Sequence, residues 1–135
     1  MRPFTHIVLW LALLVAGSGC GRGPKFGAKL QSAGGPAALK QECVGFLHLY
    51  EQTSGQQYVW MPRNTNFPPG IASFQPQAVS ITRLDDVQMV DVQVTGGFDH
   101  HGLLVAPSPS PQGFQPRRGS WSIWQLADGV WEYRE

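Results

Sequence analysis

A chain of 135 residues with 14% charged side chains has room for one modest core and not for a second domain. That charge content is well below the roughly 25% of ordinary soluble proteins, while 16 Gly and 11 Pro are in excess, so the surface must consist largely of uncharged polar groups and long loops. Arg2 is the one charged side chain before Cys20, which leaves nine of the ten cations against nine acids. With Arg117-Arg118 as the one local basic spot, the phosphate backbone of a nucleic acid finds no stripe of cations, and nucleic acid is not an expected partner.

Residues Met1 to His6 form a short n-region carrying Arg2, and Ile7 to Ala16 is an uncharged run. That order is the one a signal peptide uses. A run of about 10 residues is too short for a bilayer, whose hydrocarbon core of roughly 30 Å takes about 20 residues of helix. Val15-Ala16-Gly17-Ser18-Gly19-Cys20 then places small residues before a cysteine.

This stretch resembles the lipobox of bacterial lipoproteins, with Gly17 standing where the family usually has leucine. The resemblance implies a signal peptide over 1–19, a diacylglycerol thioether on Cys20, cleavage just before it, and commonly palmitate or a similar acyl chain on the new amino terminus. Two or three chains, at about 0.8 kcal/mol per buried methylene, make a durable anchor. The partner implied is membrane lipid. The address implied is the exported side of the cell envelope, on the outer face of the inner membrane or on the outer membrane. The alternatives are an ordinary signal cleaved at Ala16 and Ser18, or an uncleaved anchor. Under the ordinary signal Cys20 stays a thiol, free or paired with Cys43.

Residues 20–35 include five Gly, Pro24 and scattered cations, which predicts a lipid-anchored flexible tether that contributes nothing to the fold. A small α+β domain is expected over 36–135. Gly35-Pro36 opens a helix, since proline suits the first turn. Leu39, Cys43, Phe46, Leu47 and Tyr50 share one helical face, and Thr53-Ser54-Gly55 ends it. Proline-rich residues 56–77 read as irregular, with a short strand near Gln57 to Met61.

The period then changes to two. Ala78 to Leu84 and Val87 to Thr95 form a hairpin about Asp85-Asp86. Within it Val90, Val92 and Val94 alternate with Asp91, Gln93 and Thr95, predicting one buried and one wet face. His101 to Ala106 is a third strand. The Pro107, Pro109 and Pro111 segment cannot join a central strand. Trp121 to Leu126 and Val130 to Arg134 flank Asp128-Gly129, a strong hairpin signal. The expected fold is one amino-terminal helix packed on an antiparallel sheet of about four or five strands.

Leu39-Lys40-Gln41, Tyr50 and Phe67-Pro68-Pro69-Gly70 are similar to a stretch of secreted pilin-like proteins, which implies the same helix-then-sheet layout and nothing about activity. The terminal Leu126 to Tyr133 hairpin is similar to the ends of small envelope lipoproteins and of cystatin-like and nuclear-transport-factor-like domains.

Asp99-His100-His101 offers donors suited to zinc, copper or nickel. Adjacent histidines in extended chain point to opposite faces, however. A metal- or ligand-binding envelope sensor using Asp99, His100 and His101 is therefore the second reading; His48 on the helix is a further donor type, but nothing in its spacing brings it near, and no metal or cofactor is assigned. Ser108 and Ser110 lack a nucleophile elbow, Cys43 and His48 are out of helical register, and Asp85-Asp86 is explained by its turn. No enzyme is expected. Trp60, Trp121, Trp124 and Trp131, with Phe67, Phe74, Phe98 and Phe114, read as core filling; an exposed subset would suit an envelope protein or glycan. The function expected is thus a non-enzymatic structural or interaction module held to the membrane.

Overall fold

A computed structural model describes residues 23–95 and 97–135. The signal peptide and Cys20 lie outside the described residues. The chain folds in the order α1 (Gly27–Ser32), α2 (Gly35–Gln52), β1 (Val59–Trp60), α3 (Pro69–Ala72), β2 (Ala78–Leu84), β3 (Val87–Thr95), β4 (His101–Val105), β5 (Ser122–Ala127) and β6 (Val130–Arg134). The class is α+β, as expected. The count differs, with three helices and six strands among the described residues in place of one helix and four or five strands.

The apolar spacing of α2 does what it predicts. Leu39, Cys43 and Phe46 are buried, while Leu47 and Tyr50 are packed at the edge of the same cluster. The helix stops where Ser54 and Gly55 enter the left-handed region at φ 55° and 74°. There the Gly55 amide reaches back to the Tyr50 carbonyl at 2.9 Å, a closure that satisfies one of the last helical carbonyls. From the middle of α2 the Glu42 carboxylate accepts the Gly70 and Ile71 amides at 2.9 and 2.8 Å. That bond holds α3 against α2.

The six strands form one antiparallel sheet in the order β1-β2-β3-β4-β6-β5. Asp85 and Asp86 both have positive φ, 48° and 64°, the left-handed pair that a two-residue type I′ turn requires. Leu84 accordingly faces Val87 in the register. The last hairpin turns at Asp128-Gly129, and its second arm, β6, is the one that pairs with β4. β5 is thereby left at the edge.

On the helix-covered face Val79, Val90, Val92, Leu103, Val105 and Val130 join Leu39, Cys43 and Phe46 in one core. The opposite face is covered too. Met89, Leu104, Ala106, Trp131 and Tyr133 are buried there, with Phe114, Trp121 and Ile123 packed on them. The proline-rich connection from β4 to β5 supplies the cover, and this corrects the expectation of a wet face. Asp91, placed by its alternation among the solvated residues, is 6% exposed.

Residues 25–33 also depart from expectation. Their composition predicts a tether, yet Phe26 and Leu30 are buried, and Leu30 lies at 1% exposure. The Gly-rich composition hides two anchors four residues apart, the spacing of one helical face. Burying a Leu or Phe side chain is worth roughly 1.5–3 kcal/mol, enough to dock a helix of six residues. The ordered body therefore begins before residue 36.

Candidate functional site

Two carboxylates are buried, one on each face of the sheet, and around them are gathered the polar groups that could do chemistry. Glu132 sits in the middle of β6 between Trp131 and Tyr133 and has no exposed surface. Its oxygens accept the Lys25 amide at 2.8 and 2.7 Å and the Phe26 amide at 2.8 Å. His101 Nε2 lies 2.8 Å from Glu132 Oε1. Phe26 stacks on the His101 ring, with centroids 4.3 Å apart and planes within 6°, and meets Phe74 edge-on at 5.5 Å. A carboxylate deprived of water needs such donors to stay buried. Here they come from the first described residues of the chain.

On the other face, the Tyr133 hydroxyl donates to Asp91 Oδ1 at 2.7 Å, and Arg118 Nη1 donates to Asp91 Oδ2 at 2.9 Å. Arg118 also lies over the Trp121 ring, 4.5 Å from its centroid, and Trp121 stacks on Tyr133 at 4.7 Å. Gly102 lets the tyrosine in, since a Cβ there would stand 2.7 Å from its hydroxyl oxygen and 2.3 Å from the Val92 carbonyl oxygen. Burial, then the Asp91 charge and the hydrogen bond to it, push the Tyr133 hydroxyl well above the usual tyrosine range. It therefore stays a proton donor to Asp91. An open cleft of about 300 Å³ is bordered by these four residues together with Ser80, Gln93 and His100.

Chemically this cluster is a latch. Arg118 directs its charge to Asp91, and the Trp121 ring is engaged by both the Arg118 guanidinium and the Tyr133 ring. The latch ties the connection between β4 and β5 to the sheet. The expected preference of the aromatic residues for the core agrees with Trp60, Phe74 and Trp131, at 4%, 1% and 1% exposure. Trp121 precedes β5 and Trp124 lies within it, and both are half-buried.

The Asp99-His100-His101 run is pulled apart. His101 turns to Glu132 on the helix side, while His100 Nδ1 lies 2.6 Å from Glu135 Oε2 without hydrogen-bond geometry, its ring 5.5 Å from Trp121. Asp99 is exposed, and its carbonyl accepts the Thr95 hydroxyl at 2.8 Å. His48 is on α2, beside Glu51 at 3.9 Å. Among the described residues no three His, Cys, Asp or Glu side chains converge to hold a metal ion.

Cys43 is buried on α2 without a disulfide, and burial, followed by the nearby Glu42 charge, pushes its thiol well above the ordinary range. A thiol kept protonated in this way is a poor nucleophile. Ser108 is exposed beside Pro109, and Asp85-Asp86 forms the hairpin turn.

Sequence reasoning missed Glu132, Asp91 and Arg118. The available signal is the position of the two acids inside apolar strands, Asp91 between Val90 and Val92 and Glu132 between Trp131 and Tyr133. In a sheet covered on both faces, both parities of a strand are buried. The chain matches no protein-family model, no curated protein and no solved structure.

Proposed function

We propose that this chain is a non-enzymatic lipoprotein of the bacterial envelope, anchored through acyl chains on Cys20, whose domain serves as a structural or interaction module at the membrane surface. The observation that carries the reading is the sequence around Cys20: an uncharged run of ten residues, then small residues, then the cysteine. No helix among the described residues is long and apolar enough to cross a membrane. In the domain itself the polar clusters on both faces of the sheet act as internal latches, with their strongest donors and acceptors turned on each other, an arrangement that suits a structural role.

The test is metabolic labelling with a palmitate analogue in cells producing the full chain. The wild type should take up label and sediment with membranes, and Cys20→Ser should do neither. Equal labelling of the two would overturn the reading.

A further inference from the structure

We propose that the end of the sheet carrying Gly97, Phe98 and Asp99 is the membrane-facing end of the domain, with the Phe98 ring seated among the lipid headgroups. The inference rests on the reading of Cys20 as the lipid anchor, and adds to it an orientation and a contact.

The clamp at Glu132 sets the length of the leash. Five peptide steps separate Cys20 from Lys25, and at no more than roughly 3.6 Å each they reach about 18 Å. Lys25 and Phe26 are fixed at their amides by Glu132, so the leash ends there and does not continue to residue 35. Phe26 stacks on His101, the first residue of β4, which follows directly on the loop that carries Phe98. The point at which the leash joins the domain therefore lies beside that loop.

Phe98 is exposed over its whole surface, at 107% of the reference value, and is by far the most exposed of the large apolar side chains described. An aromatic ring with no packing partner is costly in water and favourable in the interfacial layer of a bilayer, where such rings collect. Charge at this end is mixed: Asp99 follows Phe98 in the chain, Arg134 pairs with His101 in the sheet register, and the Glu135 amide donates to the His100 carbonyl. The contact is accordingly apolar and does not depend on anionic lipid. The turns at the opposite end of the sheet present Asp85, Asp86 and Asp128, all exposed, with Lys40 3.8 Å from Asp128 and, among the described residues there, no fully exposed aromatic ring. Along the nine residues of β3, at roughly 3.3 Å each, that end stands about 30 Å away. A leash of about 18 Å holds the Phe98 end down and the aspartate end out.

The experiment uses the full acylated protein in phosphatidylcholine vesicles that carry a nitroxide lipid. Phe98→Cys and, separately, Asp85→Cys are labelled with an environment-sensitive thiol dye; Cys43 is buried and Cys20 is blocked by its lipid. The Phe98 position should emit to the blue and be quenched several-fold more than the Asp85 position. Equal quenching, or stronger quenching at Asp85, in protein that floats with the vesicles overturns the orientation and leaves the anchor intact. Failure to float overturns the anchor and the orientation together.

Discussion

His101 and Glu132 meet 2.8 Å apart across the β4–β6 pair, and the ring of Phe26 closes over the histidine. The pair ties the beginning of the described chain to its last strand. Replacing Glu132 by Ala would leave the buried Phe26 amide, and the partly buried Lys25 amide and His101 ring, without their acceptor. A buried donor left unpaired costs about 1 to 3 kcal/mol, so the loss is about 2 to 4 kcal/mol, a large share of the roughly 5 to 15 kcal/mol that holds a small domain together. Urea unfolding should show a loss of that size for Glu132→Ala. Glu132→Gln, which keeps an acceptor oxygen, should lose less.

Deletion of residues 23–33 should lower the melting temperature of the soluble domain by more than about 10 °C. Phe26 and Leu30 contribute a few kcal/mol of burial, and each 1 kcal/mol moves a domain of this size by roughly 4 to 8 °C. An unchanged melting curve would mean that the segment is a tether after all.

Trp131 is buried at 1% exposure between the sheet and Phe114, whose ring stands edge-on to it at 5.8 Å. Trp131→Ala should cost about 3 to 5 kcal/mol in urea unfolding, as aromatic truncations in cores do. A cost below about 1 kcal/mol would show that the proline-rich connection does not cover this face in solution.

The Tyr133 hydroxyl gives the fold an alkaline limit. Its affinity for the proton is raised in the folded state by burial and by Asp91, whereas an unfolded tyrosine titrates near pH 10. The folded state therefore holds a proton that the unfolded chain releases. The stabilisation is full below about pH 10 and is lost as pH rises above it. Part of the tyrosinate absorbance should accordingly appear only in step with unfolding. Tyr133→Phe should lack that part and lose less stability above about pH 10 than the wild type does.

The elements written by local rules were legible. Leu39, Cys43 and Phe46 mark α2 by their spacing, and Asp85-Asp86 and Asp128-Gly129 mark two hairpins by turn chemistry. Each of these signals lies within a few residues of what it specifies. What escaped depends on distant partners. Leu30 looks like an isolated apolar residue until the core receives it. Asp91 looks solvated until Arg118 and Trp121 cross over it from another part of the chain. Glu132 reads as the polar residue between two aromatic ones, and only the docking of Phe26 makes its face an interior. Of the Asp99, His100 and His101 group, alternation along the chain already separates the two histidines. Their actual partners, Glu135 and Glu132, come from the far strand, and no local spacing encodes them.

Acylation of Cys20 as the first residue of the mature protein is decided by the intact mass and amino-terminal fragment of the protein extracted from membranes of the cells that make it. The chain should begin at Cys20 and carry a diacylglycerol thioether. A mature chain beginning elsewhere, or one in which Cys20 bears a free thiol or a disulfide, would contradict that assignment.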